Sequence, residues 1–379
     1  MLLAASLSLA PCSIDATAVA QQPSARIIET ASGGSTLALA KILILRDGTY
    51  VASVESMTYP MEAPRPGWVS LWGTIHLSTD RGEHWSKVAK LDEIGRATLF
   101  EDGDALYFMG TSKSGGAVIS RSTDHAATWS KPTSASTGML HGQSVLEPCD
   151  GPAVRAGGRI WRAFTRELQP TGTRERVHAL VASAAVGADL LDAKSWRWTS
   201  ELPLDGLNGF AWDHSGLVGR GEVAPDLILL SRDDFRGAAS PSPDGFELRA
   251  HELPRPWVGC DRLGARLEHD STSGQFFVLA AFPDSTNSQI PPETLASEAS
   301  LLATRDLTSW DLRTVLLRGE RRARFTCADW AIDGEDLVAV IGGALGEEHD
   351  TRALLFLRVP KFRERKFEDP PASVPAVGK

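Results

Sequence analysis

The chain has 379 residues, with 48 acidic and 39 basic side chains and a net charge of −9. That balance argues against nucleic acid as a partner, because phosphate contacts need a basic face. The length suffices for a large core, in two domains or in one closed all-β unit, and no later apolar run approaches the roughly 18 residues of a membrane span.

Residues 1–20 read as an export signal. "MLLAASLSLA" is a short apolar run, and Ala18 and Ala20 before Gln21 have the spacing of a signal-peptidase site. The expected location is secreted or periplasmic. The usual Lys or Arg near the start is missing, the pattern expected if Met1 lies downstream of the true start codon. Pro11 precedes Cys12, where lipidation wants a small residue, so a lipoprotein is disfavoured. Cys149, Cys260 and Cys327 remain after the signal, enough for one disulfide but not for a disulfide-dense scaffold.

From about residue 40 the chain runs as short apolar strands broken by turn residues. "AKILILRDGTYVASVE" has Asp47-Gly48 between two runs, and "TLFEDGDALYFMG", "AVRAGGRIWRAFT" and "WAIDGEDLVAVIG" repeat the pattern. Only "DLLDAKSW" hints at a helical turn. Residues 21–365 are predicted to be one all-β domain, and 366–379, charged and then Pro-rich, a flexible tail.

One octet recurs. "STDRGEHW" at 78–85 returns as "STDHAATW" at 122–129, more loosely as "TRDLTSW" at 304–310, and again in "LLDAKSWRW" at 190–198. Recurrence at roughly 40–60 residues points to a repeat architecture, here about six blades of four antiparallel strands, with five blades and longer insertions as the alternative. In a tight hairpin the Asp can bond backbone N–H groups two or so residues on, the Gly supplies positive φ and the Trp folds back on the strands. The octet is therefore expected to mark a turn rather than a reacting group, and Ala126 in place of the glycine agrees with that.

These octets resemble the Asp-box, or BNR, repeat of the sialidase superfamily. The longer stretches "LFEDGDALYFMGTSKSGGAVISRSTDHAATWSKPTSASTGML", "GGRIWRAF", "ADLLDAKSWRW", "SLLATRDLTSWDLRTVLL" and "DWAIDGEDLVAV" resemble secreted bacterial proteins described as sialidase-like or glycosyl hydrolase-like, over most of residues 45–365. The resemblance implies a six-bladed β-propeller that acts on carbohydrate. It also implies, for a true sialidase, a late tyrosine nucleophile assisted by a glutamate, an aspartate acid/base and three arginines on the sialate carboxylate. This chain departs from that pattern. Its three tyrosines are Tyr50, Tyr59 and Tyr107, and "LALAKILIL", with Lys41, stands where the family has "RIP". Sialic acid cleavage by the usual route is not expected. Where the closer group has a histidine and a "WLEGN"-like segment, this chain reads "LEPCDGPAV", with Glu147 and Asp150, and "LVGRGEVAP", with Glu222.

The innermost strands of a propeller begin around one central mouth, so polar residues at their starts converge. Arg96, Asp150, Glu222, Arg262 and Arg324 are expected there. Asp150 and Glu222 are the candidate catalytic pair of a glycoside hydrolase, and Arg96, Glu147, Arg166, Arg262, Arg324, His349 and Asp350 the candidate ligand contacts, the arginines suiting an anionic sugar. The alternative for any one of them is a salt bridge plugging the channel. Arg159 and Arg162 read as a solvent-facing basic stripe, with Arg166 at the strand end reaching the mouth. Glu347, His349 and Asp350 precede the last strand, but no zinc-type histidine spacing occurs and no metal or cofactor is indicated. A binding propeller without catalysis is the competing class. A polysaccharide lyase, with Arg262 and Arg324 neutralising a carboxylate, is the third.

Overall fold

The computed structural model describes residues 23–31, 36–58, 70–92, 94–142, 146–149, 151–167, 177–203, 216–218, 226–229, 237–242, 244, 246–251, 261–262, 266–283, 297–306, 309–319, 324–345, 351–366 and 368–373. Their strands pair into six sheets, taken in chain order. The first holds Thr36–Ile44, Tyr50–Thr58, Ser70–Ser78 and Ser86–Asp92; the second Ile94–Asp102, Ala105–Ser112, Ala117–Ser122 and Met139–His141. The third runs from Leu146–Pro148 and Val154–Ala156 through Arg159–Glu167 and Val177–Ala185 to Trp196–Trp198 and Leu202–Pro203. The fourth comprises Gly216–Val218, Asp226–Leu229, Gly237–Pro241 and Leu248–His251. The fifth comprises Asp261–Arg262, Glu268–Asp270, Gln275–Pro283, Ser297–Thr304, Asp311–Arg318 and Ala372–Ser373; the sixth Arg324–Asp333, Asp336–Leu345, Thr351–Val359 and Ser24–Ala31.

The fold is all-β and the sheets stand in a propeller arrangement, with apolar side chains filling the space between neighbours. Leu37, Tyr50, Val54, Val340 and Phe356 join the sixth sheet to the first, and Phe100, Ile119, Phe164 and Leu180 join the second to the third. The sheets keep the expected four antiparallel strand positions, and two carry six strands because positions are split or an edge strand is added. In the third, both the innermost and the outermost positions are split into two short strands on continuous partners. In the fifth, only the innermost position is split, and Ala372–Ser373 adds in parallel beside Leu317–Arg318. Ala372 is 3% exposed, so the expected flexible tail includes a residue packed into the core.

The sixth sheet is assembled from both ends of the chain. Ser24–Ala31 runs antiparallel to Thr351–Val359, with Ala25 opposite Leu357 and Arg26 opposite Phe356. From this strand Glu29 reaches across to the first sheet, accepting from Thr74 Oγ1 at 2.9 Å and lying 3.2 Å from both His76 Nε2 and Lys87 Nζ. Burial works to raise its pKa, but the bonds from His76 and Thr74 and the charges of His76 and Lys87 outweigh it and hold the carboxyl at about 2.

The octets are turns, and each joins the third strand of a sheet to the fourth. Asp80 Oδ1 accepts from Ser78 Oγ at 2.8 Å and from His84 N at 2.9 Å, while Ser78 Oγ accepts from Gly82 N at 2.8 Å. Ser122, Asp124, Ala126 N and Thr128 N repeat this at 2.8, 3.0 and 2.9 Å. Thr304 and Asp306 form a looser copy, and Asp192 caps the 3₁₀ turn Ala193–Ser195, the helical turn expected in "DLLDAKSW". A fifth turn, missed in the sequence, joins Ser242 to Asp244 and Phe246 N in the fourth sheet. The sixth sheet has no third-to-fourth hairpin, because its fourth strand is Ser24–Ala31.

Gly82 and Ala126 occupy the same left-handed position, at φ of 92° and 66°. A Cβ on Gly82 would lie 2.2 Å from Phe356 Cε1, whereas the methyl of Ala126 is accommodated and fully buried. Gly82→Ala is therefore expected to cost about 2–3 kcal/mol through collision and backbone strain, and Ala126→Gly less than about 1 kcal/mol. Urea unfolding measures both, and a Gly82→Ala protein as stable as the wild type would refute the steric argument.

Candidate functional site at the mouth face

Strand direction divides the molecule into two faces. The first strand of a sheet begins at the mouth, the second ends there, the third begins there and the fourth ends there. The octet turns, between third and fourth strands, all lie on the opposite face. Tyr50 and Tyr107 begin second strands, so they too sit on the turn face, where Tyr50 donates to Asp333 Oδ2 at 2.5 Å. Neither is available to a reaction at the mouth.

Of the sequence-predicted residues, Arg96 lies at the mouth end of the second sheet, half-buried, and Arg166 at the mouth end of the third. Glu147, Arg262 and Arg324 fall at the starts of the innermost strands of the third, fifth and sixth sheets. Asp150, Glu222, His349 and Asp350 lie outside the described residues, as do Glu347 and Cys260. Cys149 and Cys327 are buried in the third and sixth sheets. The basic stripe needs correcting: Arg162 is 1% exposed and donates to the Gly151 carbonyl, and Arg159 folds over Trp161 and bonds Ser183.

Arg166 is the predicted residue around which a described cluster forms. It is the direct cross-strand partner of His178, and His178 is opposite Pro203 on the next strand. Glu201, just before that strand, uses one carboxylate oxygen for Arg166 Nη1 and the other for His178 Nδ1 at 2.7 Å. Burial works to raise the Glu201 pKa, but the bonds from His178 and Arg166 and their charges hold it below the usual range. His141, at the mouth end of the second sheet, has its pKa lowered by burial and then by the charge of Arg166. Its ring stands edge-on to Trp198 at 5.1 Å, and Trp198 also meets Phe164 at 5.2 Å. The cluster thus joins a guanidinium, two imidazoles, a carboxylate and an indole across two sheets. Sequence reading missed His141, His178, Trp198 and Glu201. The one available signal was the polar ending of adjacent strands, "TRE" at 165–167 and "VH" at 177–178.

Behind the mouth lies a buried polar hub. The innermost strand of the first sheet touches those of the second and of the sixth. Two of them carry a bulge with one residue in the left-handed region, Leu39 at φ 53° and Arg96 at φ 51°. Bulges free backbone N–H groups that need other acceptors, and buried carboxylates supply them. Glu55, 1% exposed, accepts from Ala97 N at 2.7 Å, and Asp329 accepts from Ile42 N at 3.0 Å. Arg266 lies 3.6 Å from Asp329 and 2.9 Å from Glu268. Burial pushes the Glu55 pKa up to about 7, although the N–H groups of Arg96 and Ala97 and the charges of Arg96 and Lys41 pull the other way. Glu55 is too deep to touch a ligand and serves the bulge.

The turn face has a groove of about 370 Å³, lined by Arg46, Asp47, Glu101 and His125 among others. Its charges face one another loosely, Arg46 to Glu101 at 3.7 Å and His125 to Asp47 at 3.8 Å. No aromatic wall accompanies them in that lining, so the mouth cluster is the stronger candidate.

No family profile and no curated sequence matches the chain. Solved structures do. The sialidase of Trypanosoma rangeli aligns with 90% of this chain and 60% of its own, at 13% identity and a TM-score of 0.56. A mutant of that sialidase displaying trans-sialidase activity aligns over 86% and 54%, at 12% identity and a TM-score of 0.53. The fold is sialidase-like. The chain thus spans 54% to 60% of the length of these sialidase chains. A protein of unknown function from Dyadobacter fermentans aligns over 88% of this chain and 99% of its own, at 12% identity and a TM-score of 0.50. At such identities the likeness is one of fold.

The hub makes a pH prediction. In the unfolded chain Glu55 releases its proton near its ordinary value of 4.5, and in the folded chain at about 7. Between these values the folded state binds more protons, so the contribution of Glu55 to stability falls as pH rises. The melting temperature of Glu55→Gln relative to the wild type should therefore increase between about pH 5 and about pH 7.5. A difference that is constant or falls over that range would contradict the raised pKa.

Proposed function

We propose that this protein is an exported, six-bladed propeller, one blade to each sheet, that acts on carbohydrate at its mouth face. The observation that carries the reading is the convergence of Arg166, His178, Glu201 and His141 beside Trp198 at the mouth ends of two adjacent sheets. An aromatic ring with polar groups that both donate and accept is what a sugar's apolar face and hydroxyls require. Export rests on residues 1–20, and the octet turns are read as Asp-boxes.

Glycoside hydrolysis is the first chemistry proposed for this face, with Asp150 and Glu222 as the carboxylate pair. Arg96, Glu147, Arg262, Arg324, His349 and Asp350 join Arg166 as ligand contacts, suited to an anionic sugar. A tyrosine-nucleophile sialidase is not proposed, since no tyrosine follows Tyr107 in the chain and Tyr50 and Tyr107 belong to the turn face, while Tyr59 lies outside the described residues. A glycan-binding propeller without catalysis is the second reading, favoured by the commitment of Glu55 to the bulge.

A panel of aryl glycosides and of neutral and uronate polysaccharides, assayed for both turnover and binding, tests the proposal. Turnover that falls on the order of 10²–10⁴-fold in Asp150→Asn and Glu222→Gln is the expected result. Binding without turnover would favour the second reading, and neither binding nor turnover across the panel would overturn the carbohydrate assignment.

A further inference from the structure

We infer that His178 is a general base at the mouth, with Glu201 as its positioning residue and Arg166 as the cation beside it, and that the substrate is a uronate-bearing glycan cleaved by β-elimination. The inference rests on the proposed placement of the ligand at the mouth face. It keeps the carbohydrate ligand and its place but replaces hydrolysis by the Asp150–Glu222 pair with a proton abstraction that requires neither residue.

The geometry supports each part. A carboxylate only accepts hydrogen bonds, so the 2.7 Å contact between Glu201 and His178 Nδ1 puts the proton on Nδ1. In the neutral ring this leaves Nε2 with its lone pair, and no hydrogen bond to it occurs among the described residues. The side chain is 20% exposed, so Nε2 is open to a ligand while the ring is held from below. Arg166, 36% exposed, shares the same carboxylate. The guanidinium and the imidazole therefore stand side by side on the two oxygens of one Glu201, as cross-strand partners. In a uronate the carboxylate and the C5 proton are likewise on neighbouring atoms. Arg166 can hold the carboxylate while Nε2 meets the proton, and the cation stabilises the charge that grows on the carboxylate as the proton leaves. The lowered pKa of His141 keeps a further positive charge away from the base.

The step balances without a co-reactant. Nε2 takes the C5 proton, the C–H electron pair becomes the C4=C5 double bond, and the C4–O bond breaks with its pair on the leaving oxygen. The imidazolium then returns the proton to that oxygen. One product is a 4,5-unsaturated uronate and the other a free hydroxyl end.

The test uses the full chain with polygalacturonate, alginate and glucuronan, following reducing ends and the ultraviolet absorbance of the conjugated product together. Both should rise in parallel on at least one polymer. His178→Gln should lose at least about 100-fold of the absorbance rate with an unchanged melting temperature. Glu201→Gln should lower kcat with little change in KM at an unchanged melting temperature; a merely structural role would lower the melting temperature instead. Reducing ends without absorbance would overturn the inference and leave hydrolysis standing. Binding without cleavage, or elimination undiminished in His178→Gln, would overturn the inference alone. Failure of every glycan to bind or react would overturn both readings.

Discussion

The antiparallel pairing of Ser24–Ala31 with Thr351–Val359 is the interaction on which the remaining architecture depends. Propeller sheets that pack face to face around an axis leave a first and a last sheet to be joined. Here the join is made within one sheet, so backbone hydrogen bonds close it rather than side-chain packing alone. A strand edge that would otherwise be open is covered at the same time. Glu29 extends the join to the first sheet through Thr74, His76 and Lys87, and on the turn face Arg358 ties Asp333 and Asp336 together beside Tyr50. Closure also accounts for the tally of turns: five sheets connect their third and fourth strands through an Asp-capped turn, and the sixth has no such connection to make.

With closure fixed, the two faces divide their work. The turn face carries local, self-satisfied hydrogen bonds in which Asp80 and Asp124 are consumed by the backbone. The mouth side carries interactions between sheets, where a bulge in one innermost strand is held by a carboxylate from its neighbour. Left-handed residues at Leu39 and Arg96 mark where those strands are re-aimed. Strained backbone of this kind persists only where surrounding contacts over-determine it, and the buried Glu55 and Asp329 are such contacts. They leave Arg166, His178 and Glu201 at the rim as the described polar groups with both support from below and access from outside.

What was legible in the sequence follows from range. The Asp-capped turns are closed within a few residues, so "STDRGEHW" and "STDHAATW" announced themselves, as did the hairpin at Asp47-Gly48. The turn at Ser242 was missed because Arg249 stands where Trp85 and Trp129 follow Ser78 and Ser122, and no strong strand precedes it. Arg166 was legible as the polar end of an apolar strand. Its partners were not, since His178 is set by cross-strand register and Glu201 by the break between Trp196–Trp198 and Leu202–Pro203. Glu55 reads in the sequence as an ordinary strand terminus, and only the packing of the second sheet on the first shows it buried. Arg162 looked like surface because alternation alone cannot tell an exposed face from one facing the next blade. The split strands of the third and fifth sheets were hidden for a related reason: strand pairing tolerates an interruption on one side when the partner is continuous.

The central claim is that ligand is taken at the mouth rather than on the turn face, and backbone hydrogen exchange in the presence of a glycan identified from the panel tests it most directly. The account predicts slowed exchange at Met139–His141, at Leu146 and Glu147, at Arg166 and His178, and at Glu201 and Leu202, with residues 78–85, 122–129 and 242–247 unchanged. Protection confined to those turns, or to the groove at Arg46 and His125, would contradict it.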